Sequence, residues 1–149
     1  MNARRLALLV LAAAALETTR AVAQNQYQQQ IANQMARWSP TFNQRGYNAI
    51  GQLMTGSIND DADVSVMVNL ISGTQYVVAG VCDNDCSDVD LQVYSADGNK
   101  LGEDLDTDDT PVVSFTASYS GTYRVRVMMA TCNTNPCYYG VQVFASGGK

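Results

Sequence analysis

The 149-residue chain contains no histidine, and it is short of positive charge: nine Lys and Arg stand against fourteen Asp and Glu, a net charge of −5. Without imidazole, the general base that titrates near neutral pH, the Ser-His-Asp and Cys-His catalytic arrangements and all His-containing metal sites are excluded together. The scarcity of cations argues against nucleic acid and anionic lipid as partners, because both require a basic footprint. Large aromatics are also few, one Trp and three Phe, although there are eight Tyr. A hydrophobic share of 46% nevertheless suits a globular chain rather than a disordered one, and the length suits a single folded domain.

What is present begins with Arg4 and Arg5, an apolar run from Leu6 to Leu16, and Ala21-Val22-Ala23 ahead of Gln24. This is the pattern of a secretory signal peptide over residues 1–23. Eleven apolar residues at about 1.5 Å rise cover roughly half of a ~30 Å hydrocarbon core, so an anchor is disfavoured. No second run of spanning length follows, and no membrane span is expected after signal removal. The expectation is an exported protein, periplasmic or extracellular. Cleavage leaves six basic residues against thirteen acids, deepening the net charge to −7.

Four cysteines fall as Cys82-x3-Cys86 and Cys132-x4-Cys137. The spacing permits a four-thiolate zinc site, but in an oxidising compartment an even count reads as two disulfides. Of the three connectivities, the local pairs Cys82 with Cys86 and Cys132 with Cys137 are expected. Each would close a short loop at a strand end and pin it rather than staple distant parts.

From Gln24 to about Leu53 the chain is rich in Gln and Asn and free of acid. Tyr27, Ile31, Met35 and Trp38 recur at helical spacing, and Pro40 disfavours a helical Ser39, which predicts a stop there. Phe42, Ala49, Ile50 and Leu53 share a second helical face ending near Gly56, so residues 24–56 are expected to form a Gln-rich helical segment. Its apolar stripe suits either a cap over an open end of the following domain or a docking arm, including one for self-association.

Beyond Gly56 the period changes to two. Val64, Val66, Val68 and Leu70 alternate with polar neighbours, and Gln75 to Cys82, Val89 to Ser95, Pro111 to Ala117, Thr122 to Met129 and Tyr138 to Phe144 are β-branched and aromatic runs. Weaker strands are expected around Ile58 and Leu101. Turn signals such as Ser72-Gly73, Asp97-Gly98-Asn99 and Ser120-Gly121 separate them. Residues 57–149 therefore read as an antiparallel β-sandwich of 7–8 strands, mostly β overall, with an N-terminal helical segment. Tyr123, Val125 and Val127 should face the core, and Arg124 and Arg126 the solvent.

Three stretches carry a likeness to a known family: Ser72-Gly73-Thr74-x-Tyr76, the run from Asp88 through Gly98 (DVDLQVYSADG), and Ser120-Gly121-Thr122-Tyr123. Over about residues 58–145 the chain resembles the bacterial pre-peptidase C-terminal (PPC) domain. That resemblance implies a jelly-roll-like β-sandwich acting as a non-catalytic accessory, with some members binding calcium or polymeric substrates. The chain departs from the pattern in its two cysteine pairs and its Gln-rich helix, and no catalytic domain is expected within these 149 residues for the module to accompany.

Between Asp83 and Asp109 stand ten acids and a single base, Lys100. Like charges at this density either splay into water or share a cation, and calcium, with six to eight hard oxygen ligands in flexible geometry, is the cation that suits them. The candidate ligands are Asp83, Asp85, Asp88 and Asp90, with Asp104, Asp106 and Asp108 as second contributors. Asp90 should point opposite to Val89 and Leu91. A solvated acidic rim is the plainer reading, since turns select Asp for local backbone hydrogen bonds. Tyr119, Tyr123, Tyr138 and Tyr139 offer a second ligand face near Cys132 and Cys137, against the commoner role of sheet packing. The expected function is thus a non-enzymatic, exported binding or structural module, calcium-stabilised, with an unidentified protein or polymeric partner. The alternative is a small secreted hydrolase using paired carboxylates of the Asp cluster.

Overall fold

The structure, a computed structural model, describes residues 26–147; the signal-peptide expectation for residues 1–23 lies outside them. Helix α1 covers residues 26–44. Eight strands follow: β1 (Tyr47–Ile58), β2 (Asp63–Leu70), β3 (Gln75–Cys82), β4 (Cys86–Tyr94), β5 (Lys100–Asp104), β6 (Val112–Thr116), β7 (Gly121–Cys132) and β8 (Cys137–Ser146). They form two four-stranded antiparallel sheets, ordered β1-β8-β3-β6 and β2-β7-β4-β5. Among these strands only β4 and β5 are consecutive neighbours in one sheet; every other connection crosses to the opposite sheet. This is a jelly-roll sandwich.

Alternation builds the layer between the sheets. On β7, Tyr123, Val125, Val127 and Met129 are fully buried, while Arg124 and Arg126 lie outward as the period of two requires. Val89, Leu91 and Val93 of β4 and Tyr76, Val78, Val141 and Val143 of β3 and β8 complete that core. The two tyrosines of the repeated SGT turns play parallel roles. Tyr76 Oη accepts the Ile71 amide at 2.9 Å, and Tyr123 Oη donates to the Tyr119 carbonyl at 2.8 Å, so each ring is buried with its hydroxyl satisfied by its own turn.

The sheet containing β3 and β8 is buried on both faces. Its outer residues Val77, Ala79, Val81 and Phe144 pack under Ile31, Met35 and Phe42 of α1 in a second core. Burying each of those three helix side chains contributes about 1.5–3 kcal/mol. The helical stripe therefore covers a sheet face and does not plug an open end of the sandwich.

Two expectations for the N-terminal segment are corrected here. Helix α1 does not stop before Pro40 but continues to residue 44. Proline removes one backbone donor there, while Ser39 Oγ donates to the Met35 carbonyl at 3.1 Å and Phe42 packs on Phe144 with ring centroids 4.6 Å apart. That burial outweighs a local preference for stopping. Residues 47–56, expected to extend the helical segment, instead belong to β1, which pairs with β8 from Tyr47↔Ser146 to Ile58↔Cys137. A bulge between Ile50 and Met54 breaks its alternation, with Gly51 at φ 66°, and so disguises the strand in the sequence. Gln142 Nε2 donates to the Ile50 carbonyl at 2.9 Å and anchors the bulge.

Both local disulfides form, Cys82–Cys86 and Cys132–Cys137, with Cα separations of 5.9 and 5.8 Å. Local in sequence, they are not local in the fold. Each spans a connection from one sheet to the other, β3 to β4 and β7 to β8. Cys86 and Cys132 are register partners, and the Asn133 amide donates to the Asp85 carbonyl at 2.8 Å, which joins the two corners.

Closing loops this short, each bridge removes about 2 kcal/mol of denatured-state entropy. Replacing either cysteine pair by alanines is expected to cost about that amount in urea unfolding, and replacing both to cost more than the sum, because the corners are hydrogen-bonded to each other. Gly140 tests the second core: an added Cβ would meet Ile31 Cγ2 directly, with Leu53 Cδ1 and Val81 Cγ2 both at 3.3 Å. Gly140→Ala should destabilise the protein by about 1–3 kcal/mol and speed proteolysis within α1 ahead of the sandwich. Uniform loss of both layers would contradict a helix held by this contact.

Candidate functional site

The seven candidate acids occupy two places. Asp83 and Asp85 sit at the β3–β4 corner beneath α1. Asp83 is 1% exposed: its amide donates to the Tyr138 carbonyl at 3.0 Å, and its Oδ2 accepts the Tyr138 amide at 3.1 Å. Its Oδ1 has no partner among the described residues. Asp85 Oδ2 accepts the Tyr27 hydroxyl at 3.5 Å, and the Tyr27 ring stacks on Tyr138 at 4.6 Å. Tyr27 titrates above its ordinary value because the Asp85 and Asp83 charges disfavour a phenolate.

The second place lies along β4 and the β5–β6 loop. Asp90 points away from the buried Val89 and Leu91, as alternation requires. Burial raises its pKa, and the nearby Asp88, Asp104 and Asp108 raise it further. Burial likewise raises Asp88, with a contribution from Asp108, and its Oδ1 has no hydrogen-bond partner among the described residues. Burial also holds Asp83 above the usual carboxylate range. Asp104 and Asp108 serve the chain locally, and Asp106 lies exposed between them. Asp104 Oδ2 accepts the Val112 amide at 2.8 Å, its Oδ1 accepts the Asp106 amide at 3.2 Å, and Asp108 Oδ1 accepts the Thr110 amide at 2.8 Å. Among the described residues no three acids converge closely enough to hold one metal ion. The residues as they stand do not fit a coordinated calcium, and the plainer reading of turn-forming aspartates describes this loop.

The tyrosines divide as packing residues. Tyr123 and Tyr139 are buried, Tyr119 stacks on Tyr123 at 5.2 Å, and Tyr138 lies under Tyr27, so they form no common ligand face. A polar chain that the sequence did not reveal crosses the outer face of the other sheet. Arg126 donates to both oxygens of Asp63 at 3.0 and 2.8 Å and to Gln92 Oε1 at 3.2 Å. Gln92 in turn donates to Glu103 at 2.8 Å, which pairs with Lys100 at 2.7 Å. These contacts depend on register, Gln92 standing opposite both Arg126 and Glu103, which single-strand patterns do not encode. Solvent screens exposed pairs of this kind, so they orient the side chains on the sheet surface more than they stabilise the fold.

A cleft of about 390 Å³ opens between α1 and two loops. Its helix wall presents Gln30, Asn33, Gln34, Arg37 and Trp38, and its other wall presents Asn84 with Asp109 and Thr110. Asn84 stands inside the Cys82–Cys86 loop, and its amide donates to Gln30 Oε1 at 3.4 Å. The Asp109 loop is tied to β4 by the Val89 amide donating to the Asp108 carbonyl at 3.0 Å.

The pKa directions give stability a pH profile. Asp83, Asp88 and Asp90 hold protons more tightly folded than unfolded, so their contribution grows as pH falls from neutral toward about 4. Asp63, Asp97 and Glu103 are lowered by hydrogen bonds from Arg126, Ser95 and Lys100 respectively, and what they contribute is lost as pH falls below about 4. Thermal melts should therefore show Tm rising as pH falls from neutral toward about 4 and falling below that. Asp88→Asn with Asp90→Asn should raise Tm at pH 7 by on the order of 3 °C and flatten that rise. A Tm that falls steadily from pH 7 would contradict it.

No protein-family model matches the chain, and no curated protein sequence matches it. Solved structures do. A periplasmic inhibitor of g-type lysozyme from Aeromonas hydrophila aligns at 12% identity over 68% of this chain and 88% of its own, with a TM-score of 0.46. A carbohydrate-binding module, CBM36, solved in complex with calcium and xylotriose, aligns at 19% identity over 67% of this chain and 93% of its own, with a TM-score of 0.32. The pre-peptidase C-terminal domain of a Bacillus anthracis collagenase aligns at 15% identity over 63% of this chain and 89% of its own, with a TM-score of 0.50. The jelly-roll sandwich of this chain is thus similar in fold to a pre-peptidase C-terminal domain, the family that the SGT and DVDLQVY segments resemble.

Proposed function

We propose that the chain is an exported, non-catalytic β-sandwich module that works by binding a partner in the periplasm or outside the cell. One observation carries the reading: the cleft is lined by amides, one Arg, one Trp and a single carboxylate, Asp109. Hydrolysis of a glycosidic bond by paired carboxylates needs two acids flanking the reacting bond. The other acids lie on the sheet surface or in turns, where hydrogen bonds to the chain occupy most of them. Two disulfides bracing the sheet corners favour an oxidising compartment. Among the described residues no helix is long and apolar enough to cross a membrane.

Calcium enters this reading as a counter-ion. The crowding of Asp88, Asp90, Asp104 and Asp108 attracts divalent cations without presenting a closed ligand set, so charge matters more than ion identity. Calcium and magnesium at equal millimolar concentration should raise Tm by the same small amount, and chelator added to metal-free protein should leave it unmoved. A much larger shift with calcium than with magnesium would establish a coordinated site instead. Reducing-end assays on a polysaccharide panel should show no product. Product that disappears in Asp88→Asn with Asp90→Asn would replace the binding reading with the hydrolase.

A further inference from the structure

We infer that the cleft between α1 and the two loops is a binding site for a neutral oligosaccharide. This rests on the non-catalytic binding reading and names its ligand class and place. The cleft's volume of about 390 Å³ falls in the range of small-ligand sites, roughly 300–1,000 Å³. Gln30, Gln34 and Trp38 recur every four residues along one row of α1, and Asn33 and Arg37 occupy the adjacent row. A single helix face thus presents an indole, three amides and a guanidinium side by side.

Each group has a counterpart on a sugar ring. Trp38, 38% exposed although it is the largest side chain in the chain, offers a flat apolar plate of the kind that packs on the C–H face of a pyranose. The amides of Asn33, Gln34 and Asn84 each carry donors and an acceptor, matching hydroxyls that also do both. Arg37 adds five donors, and Asp109 and Thr110 supply acceptors on the facing wall. Among the described residues neither Arg37 nor Asp109 forms an ion pair, and no hydrogen bond engages the side chains of Asn33, Gln34 or Asn84. Among the described residues these polar ends have no partner.

Charge decides between sugar classes. Arg37 and Asp109 balance within the cleft, and Asp85 and Asp108 stand next to Asn84 and Asp109 on the two loops that wall it, which repels polyanions such as uronate polymers. The walls are also held in place before any ligand arrives. Ile31 and Met35, buried at 0% and 4% exposure, fix the helix on the sheet, and the Cys82–Cys86 bridge fixes the loop bearing Asn84. A preformed site loses less ordering entropy on binding.

Trp38 is the chain's one tryptophan, so its fluorescence reports on this cleft alone. Hexamers of β-1,4-linked glucose, xylose and N-acetylglucosamine would be titrated against the intact protein by fluorescence and by calorimetry. At least one should give a saturable change at millimolar concentration or below. Asn33→Ala and Trp38→Ala, both at exposed positions, should weaken that binding at least about tenfold by calorimetry with Tm unchanged. Asp109→Asn, in the opposite wall, should weaken it in the same assay. Absence of saturable binding by all three hexamers overturns the inference, as does binding unaffected by all three substitutions or tighter binding of an oligogalacturonate. Cleavage of a bound hexamer would sustain the site and overturn the non-catalytic reading, so the two failures are separable.

Discussion

The structure depends on the two-sided burial of β3 and β8. Every residue of β3 after Gln75 is buried, as are Val141, Gln142, Val143 and Phe144 of β8. A two-layer sandwich can cover only one face of a sheet, and the remaining apolar face must find a third layer or stay in contact with water. Helix α1 supplies that layer. Gly140 lets Ile31 approach the sheet, and Phe42 closes the far end against Phe144. Other features follow from this contact. Tyr27 is brought onto Tyr138, the polar flank of the helix is turned toward the Asn84 and Asp109 loops, and a cleft opens where helix and loops meet.

A second constraint holds the loops to which the helix is turned. A jelly roll sends the chain from sheet to sheet at nearly every connection, and such corners have few backbone partners of their own. Here two of them carry disulfides, and they share hydrogen bonds through Asn133 and Asp85. Asp83 contributes from the interior, its carboxylate accepting the Tyr138 amide across the corner. Burying a carboxylate is costly, which is why its pKa is raised. It also ties β3 to β8 where the ladder would otherwise end. The same loop carries Asn84, so rigidity at the corner becomes precision in the cleft wall.

Much of this was legible in the residues. VSVMVNL and TYRVRVMM alternate cleanly, and their inward and outward faces fall where the period places them. QYVVAGVC does not alternate, and its unbroken apolar run is the mark of a strand covered on both faces, which α1 then explains. The two failures have physical causes. Gly51 and the bulge beside it broke the period of β1, so Phe42, Ala49, Ile50 and Leu53 mimicked one helical face. Pro40 signalled a stop that tertiary burial of Phe42 overrode. For the site, closeness in sequence does not make the acids close in space. Asp83 and Asp88 lie on opposite sides of a sheet-crossing corner and do not share an environment, and the cleft takes its residues from α1 and two distant loops that no local motif unites.

The sequence by itself determined the fold class, the positions of β2 to β8 and the acidic balance, and pointed to the local disulfide pairs, because each follows from short-range rules: alternation, turn chemistry, loop length and charge count. Tertiary structure alone decided which strands pair, that the helix lies on a sheet face, and which polar groups meet. Register and packing join residues 28 to 92 positions apart, as in Tyr47 with Gln75, Arg126 with Asp63 and Gln142 with Ile50. Such contacts arise from the summed fit of whole surfaces. Only the folded chain brings Trp38, Asn84 and Asp109 to one cleft.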